Sequence, residues 1–591
     1  MMAEYQLGKW DLTKIVKNQK SPEFQKKVNE IRILSQKFEK IKTNLNPKIS
    51  SKDFKKIIHN LEDISEKMSL IGGYASLSYS ANTQSDEATS LMTMMSKLSS
   101  DISNKILFFD LWWKTKIDES NAKRLIKDSG ELSEYLKHKR LIAKYSLSEP
   151  EEKVINILDV TGISALVKLY DKITNSYQYK LKINKKTKTL TREELTNYVR
   201  STNANTREQA YKTLLSKFDE NKGVVGEIYQ NIVLNWKHEG VELRGYKSPI
   251  SMRNIANDVD DKTIESLLQV CRKNSPVFHR FFAQKAKMLR MKKLRRYDLY
   301  APASSNVKEK NYSFDKSVKL VFESLGKFSP KLERYAKNVF EEKHIDSEIR
   351  RGKRDGAFCS TLTPKLTPFV LVNFTGKTRD VFTLAHELGH AVHSQAAQDR
   401  SILVQDAPLP LAETASTFSE LLLYDNISNE ITDNEKKIIL SEKIDDLYAT
   451  IMRQSFFTIF EVDAHDQIGR GTTIEEISKT YLKNLREQFG NSVKMSEDFA
   501  IEWSCIPHFY HSPFYCYAYS FGNLLALSLF QRYKKEGKDF EPHYIEILAA
   551  GGAKKPENLL DEHDIDIRSP KFWQEGFDYI KTQVKELESL N

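Results

Sequence analysis

The residues that could do chemistry lie at His386-Glu387-Leu388-Gly389-His390. On a helix, four steps of roughly 100° come to about 400°, so the two histidines point the same way. Their imidazole nitrogens can then reach one divalent ion about 2 Å away, leaving positions open for water and substrate. Glu387 is one step along, on the edge of that face, where it can take a proton from water at the ion. These residue types at this spacing predict metal-assisted hydrolysis, with a peptide bond as the leading target. With 13 histidines in 591 residues, roughly 0.02 such matches are expected by chance, so chance is a weak competitor. The competing reading is a helix that carries His and Glu on a solvated face.

Such an ion needs a third protein ligand. His393 is seven residues beyond His386 and so about 10 Å further along the axis, too far to share one ion. It reads as a neighbour of the site or a surface residue. A three-histidine extension would need a glycine at position 393 and a histidine at 396, where the chain has His393 and Ala396. The other solution is a carboxylate from a following helix. Residues 412–423 read as a mostly apolar helix holding two acids, Glu413 and Glu420. A carboxylate in such a helix is expensive unless a cation pairs with it. Spacing alone leaves both acids open. Glu413 is preferred as ligand, with Glu420 accepting the N–H of a ligand histidine; an ion pair with Arg or Lys is the alternative.

Three further elements would position this chemistry. Phe369 to Phe374 reads as a strand ended by a turn at Thr375-Gly376, and Thr378 or Asp380 can cap the helix that follows. A strand edge beside the ion suits a peptidase, because it can hold an extended peptide by main-chain hydrogen bonds; Gly356 and Ala357, in Gly356-Ala357-Phe358-Cys359, are candidates for a second piece of that edge. Gly389 costs about 1 kcal/mol inside a helix relative to alanine, which a close approach of another backbone would justify. Far downstream, residues 508–519 hold two histidines and four tyrosines. Hydrolysis passes through a tetrahedral oxyanion that Tyr O–H or His N–H donors can stabilise. Tyr510 and Tyr517 are seven apart, as two inward-facing turns require, although Pro513 implies a break or a helix start between them. Tyr515 and Tyr519 read as aromatic core.

Together these stretches resemble the oligoendopeptidase F branch of the M3, thimet-oligopeptidase-like, family of metallopeptidases. His386 to Ser394 is similar to that branch's extended motif and Ala412-Glu413-Thr414-Ala415-Ser416 to its third-ligand helix. Pro507-His508-Phe509-Tyr510 and Phe514-Tyr515-Cys516-Tyr517 are similar to its substrate-aligning segment. Trp10-Asp11-Leu12, residues 297–302 and 356–359, and Ala550-Gly551-Gly552 match further. The resemblance spans most of the chain, most strongly from about residue 200 onward. It implies Glu413 rather than Glu420 as the third ligand. It also implies a mainly α, ellipsoidal fold around a deep substrate channel, with a few short strands beside the zinc-binding helix. One Zn²⁺ per chain and endopeptidase action on short unstructured peptides come with it. His508, Tyr510 and Tyr517 are implied as substrate or oxyanion contacts. The His508–Tyr510 spacing is shorter than in the thimet relatives, which leaves His508 the less secure of these.

The whole chain bounds the rest. Hydrophobic residues make up 40%, enough for a large core, and the net charge of +11 is a mild excess over 591 residues. The densest basic stretch, residues 285–296, reads as the solvated face of a helix rather than a nucleic-acid site. Cys271, Cys359, Cys505 and Cys516 show no C-x-x-C spacing. Few cysteines, a charged N-terminus and a longest apolar stretch of 524–530 predict a cytoplasmic protein that does not enter a membrane. Helical patterns run from 23 to 145, a possible hairpin spans 177–190 with a turn at Asn184-Lys185-Lys186, and Thr191 with Glu194 resembles a capping box. A soft boundary near 200 separates an N-terminal helical region (1–200) from the catalytic portion (201–591). Two rival functions remain: a metallocarboxypeptidase, which needs a group to capture a C-terminal carboxylate, and a peptide-binding protein with a structural metal, for which Glu387 has no use.

Overall fold

Serine caps start the first three long helices of the computed structural model, which describes residues 5–183, 186–302, 311–428 and 431–590. Ser21, Ser50 and Ser85 each accept a backbone N–H three residues on, opening Pro22–Lys40, Ser51–Ala81 and Asp86–Thr115. Apolar side chains recur on one face of each, for example Phe54, Ile57, Ile58 and Leu61. Helices dominate throughout and strands are few and short, as the sequence predicts. No helix among the described residues is long and apolar enough to cross a membrane. The chain packs as two units, each built from separated stretches: 1–144, 309–429 and 532–565 in the first, 145–308, 430–531 and 566–591 in the second.

In the first unit the three capped helices share a core in which Phe54 stacks on Trp113, ring centroids 5.2 Å apart. That core continues to Leu362, Phe369, Leu371 and Val404, so the N-terminal helices pack directly behind a small sheet. Its central strand, Phe369–Leu371, runs parallel to Ile345–Asp346 and antiparallel to Phe358–Ser360. Phe358–Ser360 is therefore an edge strand. The helix Thr378–Ala396 follows the central strand, and the Asp380 carboxylate accepts N–H bonds from Thr375 and Lys377 (2.7 and 3.2 Å), fixing where it starts. Helix Thr414–Ile427 lies against it, as does Phe540–Ala549. Beyond the latter, Gly551 (φ +52°) presses on the chain after the motif helix: a Cβ there would lie 2.5 Å from the Gln405 carbonyl oxygen. Gly552 N–H donates to the Val404 carbonyl at 2.8 Å.

The second unit carries an antiparallel pair, Tyr179–Ile183 with Lys186–Leu190. Of the turn expected between them, Asn184 and Lys185 lie outside the described residues. Thr191 and Glu194 form a capping box that opens Arg192–Tyr198. The core centres on Phe278, Phe282, Tyr448 and Phe489. The basic stretch is not simply a solvated helix face. Lys285 is fully buried and donates to the Leu299 carbonyl (2.6 Å) and to Asp445; Arg296 is buried on Glu502 at 2.6 Å. The helix ends at Met288, so its periodicity could not be extended to Arg296. One short element, Tyr448–Met452, is a π-helical turn leading into helix Arg453–Gly469.

Candidate active site

His386 and His390 project from the helix Thr378–Ala396 with their rings 4.9 Å apart and nearly perpendicular. Glu413 is the residue just before helix Thr414–Ile427. Its Oε2 lies 3.4 Å from His386 Nε2 and 3.6 Å from His390 Nε2. Ligands bound tetrahedrally at about 2.0–2.1 Å sit roughly 3.3 Å apart, so these three donors are spaced as one zinc-sized ion requires. Among the described residues this is the one cluster of three such groups. Two contacts fix its orientation. Ser416 Oγ donates to Glu413 Oε2 at 2.8 Å. Glu420 Oε1 lies 2.6 Å from His386 Nδ1, which fixes the proton there and turns Nε2 towards Glu413. Against burial, which pulls it down, the Glu420 bond and the surrounding carboxylates hold the His386 imidazole up at about 9; these surroundings attract a cation. Burial and His386 push His390 down to about 4, leaving a neutral ring suited to coordination.

Glu387 is buried and not among the three clustered donors. Burial pushes its carboxyl up to about 7, with His386 pulling down and Glu413 and Glu420 pushing up. Its charge is felt at Cys359 in the edge strand, so the candidate base and the strand edge belong to one neighbourhood. Just before that strand, Gly356 takes a left-handed φ of +75° and its carbonyl accepts from Asn373 Nδ2 at 2.9 Å; Ala357 is half-buried beside it. His393 is buried, held neutral by that burial with its pKa near 4. Gly389 meets the backbone of the neighbouring helix. A Cβ on it would lie 2.6 Å from both the Ala415 carbonyl oxygen and Ser416 Cα.

The aromatic segment, in the second unit, divides differently from its sequence reading. Tyr510 is buried, stacked on Tyr170 at 3.6 Å between centroids, and donates to the Val225 carbonyl at 3.2 Å. Tyr517 is also buried, its hydroxyl accepting from Asn257 Nδ2 at 2.8 Å. Both hydroxyls are thus engaged in the interior. His508, Tyr515 and Tyr519 instead form a half-buried cluster: the Tyr519 hydroxyl lies 3.4 Å from His508 Nε2, and the Tyr515 ring lies 5.4 Å from that of Tyr519. The cause is local. His508 sits on the short helix Pro507–His511, and Phe514 then adopts φ +58° before a new helix starts at Tyr517. That break resets the helical register, so the seven-residue spacing of Tyr510 and Tyr517 does not mark a common face. Burial, then Arg453 and His511, push the His508 pKa down, keeping this ring neutral.

A family model described as Peptidase family M3 matches residues 197–579. The chain belongs to peptidase family M3. It is similar to an oligoendopeptidase F homolog from Borreliella burgdorferi, 28% identical over 600 residues and covering 98% of each chain. The chromosomal oligoendopeptidase F of Lactococcus lactis subsp. cremoris is 29% identical over 394 residues, covering 66% of this chain and 65% of that one. Among solved structures, oligoendopeptidase-F from Enterococcus faecium superposes with a TM-score of 0.71 at 20% identity, covering 96% of this chain and 98% of its own. A proposed peptidase from Chlamydophila abortus reaches 0.88 at 23% identity, covering 99% and 100%. At these identities the superpositions speak for the fold. As a member of M3, in its oligoendopeptidase F branch, the chain is a metallopeptidase, and its His386, His390 and Glu413 are a group that could hold a metal ion.

One residue at the cluster of this M3 chain escaped the sequence reading. Ser416, which holds the Glu413 carboxylate, had a signal: a hydroxyl three residues past a candidate ligand at a helix start. Tyr519, read as aromatic core, is instead half-buried: on a helix opening at Tyr517 it lies about 200° from that buried residue.

Proposed function

We propose that the chain is a zinc-dependent endopeptidase cutting internal bonds of short unstructured oligopeptides, with residues 201–591 as the catalytic portion. The observation that carries this is the spacing of His386, His390 and Glu413, with Glu387 beside them but outside the ligand set. The donor set, two imidazoles and one carboxylate, suits Zn²⁺. Bound there, the ion would polarise the scissile carbonyl and make water acidic enough to attack near neutral pH. Glu387 takes the proton the attacking water gives up and delivers it to the leaving amine. Its raised pKa suits a group that must both accept and release a proton near neutrality. Glu420 holds the His386 ring in the tautomer that presents Nε2. The Phe358–Ser360 edge, led in by Gly356 and Ala357, offers main-chain groups to an extended peptide.

For the oxyanion or substrate contacts we keep His508, Tyr510 and Tyr517. The Tyr517 hydroxyl accepts from Asn257, a bond that does not use its own O–H, and the half-burial of His508 beside Tyr519 leaves its ring partly accessible. The substrate channel implied by the resemblance is part of this reading, as is a cytoplasmic location, which the four free cysteines support.

The test is digestion of a peptide library blocked at both termini by metal-loaded enzyme, read by mass spectrometry. Internal cleavage is expected and a chelator should abolish it. Release of terminal residues from unblocked peptides alone would favour a carboxypeptidase, and binding without cleavage a peptide-binding protein. Glu387→Gln should keep its metal while losing about 10²-fold or more in kcat. Tyr517→Phe should lower kcat more than Tyr519→Phe; the opposite order would move the oxyanion role to Tyr519.

A further inference from the structure

Metal-ligating side chains also meet at a second place in the first unit. His543 lies on helix Phe540–Ala549, and His563 follows the short helix Pro556–Asp561. Their Nδ1 atoms are 3.2 Å apart, close to the roughly 3.3 Å that tetrahedral binding at about 2.0–2.1 Å gives. The rings stand at 80° with centroids 5.4 Å apart, much as those of His386 and His390 do. Glu546, one turn along the helix from His543, brings Oε2 to 4.0 Å from His563 Nδ1. The three donors do not converge as tightly as the active-site cluster does. The Glu546 side chain is 70% exposed, however, and can turn towards both rings.

The surroundings suit a cation. Burial pushes the His563 pKa down, as do His543 and Lys554, while Glu546 and Glu562 pull it up; the ring stays neutral, with a lone pair to offer. The nearby cations are paired, Lys554 with Glu562 and Arg532 with Glu536. Main-chain bonds hold His563 in place: its carbonyl accepts from Arg532, and its N–H donates to the Leu560 carbonyl at 3.0 Å. Without an ion, one ring must donate its Nδ1–H to the other. With both protons on Nε2, the two Nδ1 lone pairs face each other, an arrangement that calls for a cation between them. The helix that carries His543 also backs the active-site segment. Tyr544 stacks on Phe418, centroids 4.2 Å apart, and its hydroxyl lies 3.4 Å from the carbonyl of Thr414, the residue after Glu413.

We propose that His543 and His563 hold a second divalent transition-metal ion, with Glu546 as third donor and water completing the shell. Two imidazoles and a carboxylate suit Zn²⁺ or Ni²⁺. The ion clamps helix Phe540–Ala549 to the turn that carries His563, and so braces the helix that meets Thr414. The inference does not depend on the peptidase reading, since none of its three residues belongs to the candidate active site.

The test titrates the metal-free full chain with Zn²⁺, and separately with Ni²⁺, and counts bound metal by equilibrium dialysis. Two ions per chain are expected at saturation, the second held more weakly. His543→Gln, a change at an exposed residue, should take one ion and keep its turnover of a blocked peptide. Glu546→Gln should weaken the second ion by about 10-fold. His390→Gln should do the opposite of His543→Gln, losing the first ion and keeping the second, so failure of the active-site reading is told apart from failure of this one. Filling the second site should raise the melting temperature of wild type but not of His543→Gln. One ion per chain in wild type up to millimolar zinc would overturn the proposal and leave the two rings joined by an N–H···N bond alone. A second ion held undiminished by His543→Gln would overturn it as well. If His543→Gln does not fold, the wild-type count and the affinity of Glu546→Gln still decide.

Discussion

Glu413 and Glu420 are seven residues apart, and the sequence leaves their roles interchangeable. In the fold they differ because helix Thr414–Ile427 begins one residue after Glu413. Glu413 therefore reaches the His386 and His390 Nε2 atoms from a helix start, while Glu420 meets His386 at Nδ1. We expect Glu413→Ala to lose most metal affinity and Glu420→Ala to lose only about 10–100-fold, measured by competition with a chelator of known affinity. The reverse order would exchange the two roles. The histidines and Glu387 were legible because one regular helix joins them. For Tyr510 and Tyr517 the spacing alone did not carry the argument, because the left-handed Phe514 between them is invisible to periodicity. Pro513 warned of a break but could not say which tyrosines it would turn inward.

Between the motif helix and its neighbour, the element that sets the gap is Gly389. Its missing side chain lets the backbone at Ala415 and Ser416 approach to where a Cβ would collide at 2.6 Å. Gly389→Ala must push the two helices apart, since both contacts are main chain. Overpacking of this kind costs about 1–3 kcal/mol. The same displacement moves Glu413 and Glu420 away from the histidines. A lower melting temperature together with weaker metal binding is expected; a melting shift with unchanged affinity would show that the ligands follow their helix rigidly. The glycine's cost was readable from sequence, and so was the demand for a close neighbour. Which backbone came close was not, because residues 389 and 415 meet only through tertiary packing. The strand before the motif helix was legible as an apolar run bounded by turns. Its partner strand Phe358–Ser360 was a weaker signal, being only three residues long.

For the molecule as a whole, the mainly α class and the family were legible in motifs and helical periodicity. Buried charge was not, because it depends on partners far apart in sequence. Glu461 is the clearest case. It is buried in the second unit and accepts the Phe514 N–H at 2.7 Å, beneath the loop that joins His508 to Tyr519. Burial raises its pKa from 4.5 to about 8, against the pull of the Phe514 bond and Arg253. A carboxyl whose folded pKa is raised favours the folded state fully below its unfolded pKa, and that contribution is lost as pH rises through the folded value. Wild type should therefore lose stability from about pH 5 to pH 8, by at most ~1.4 kcal/mol per pH unit from this group. Glu461→Gln should flatten that slope, seen as a gain in melting temperature over wild type that grows with pH; parallel curves would discard the assignment. A different consequence follows from the Gly551–Gly552 contact. The loop after the helix Thr378–Ala396 is braced by a segment made more than a hundred residues later. A ribosome must therefore deliver the chain as far as residue 552 before the unit that carries His386 and His390 can finish assembling.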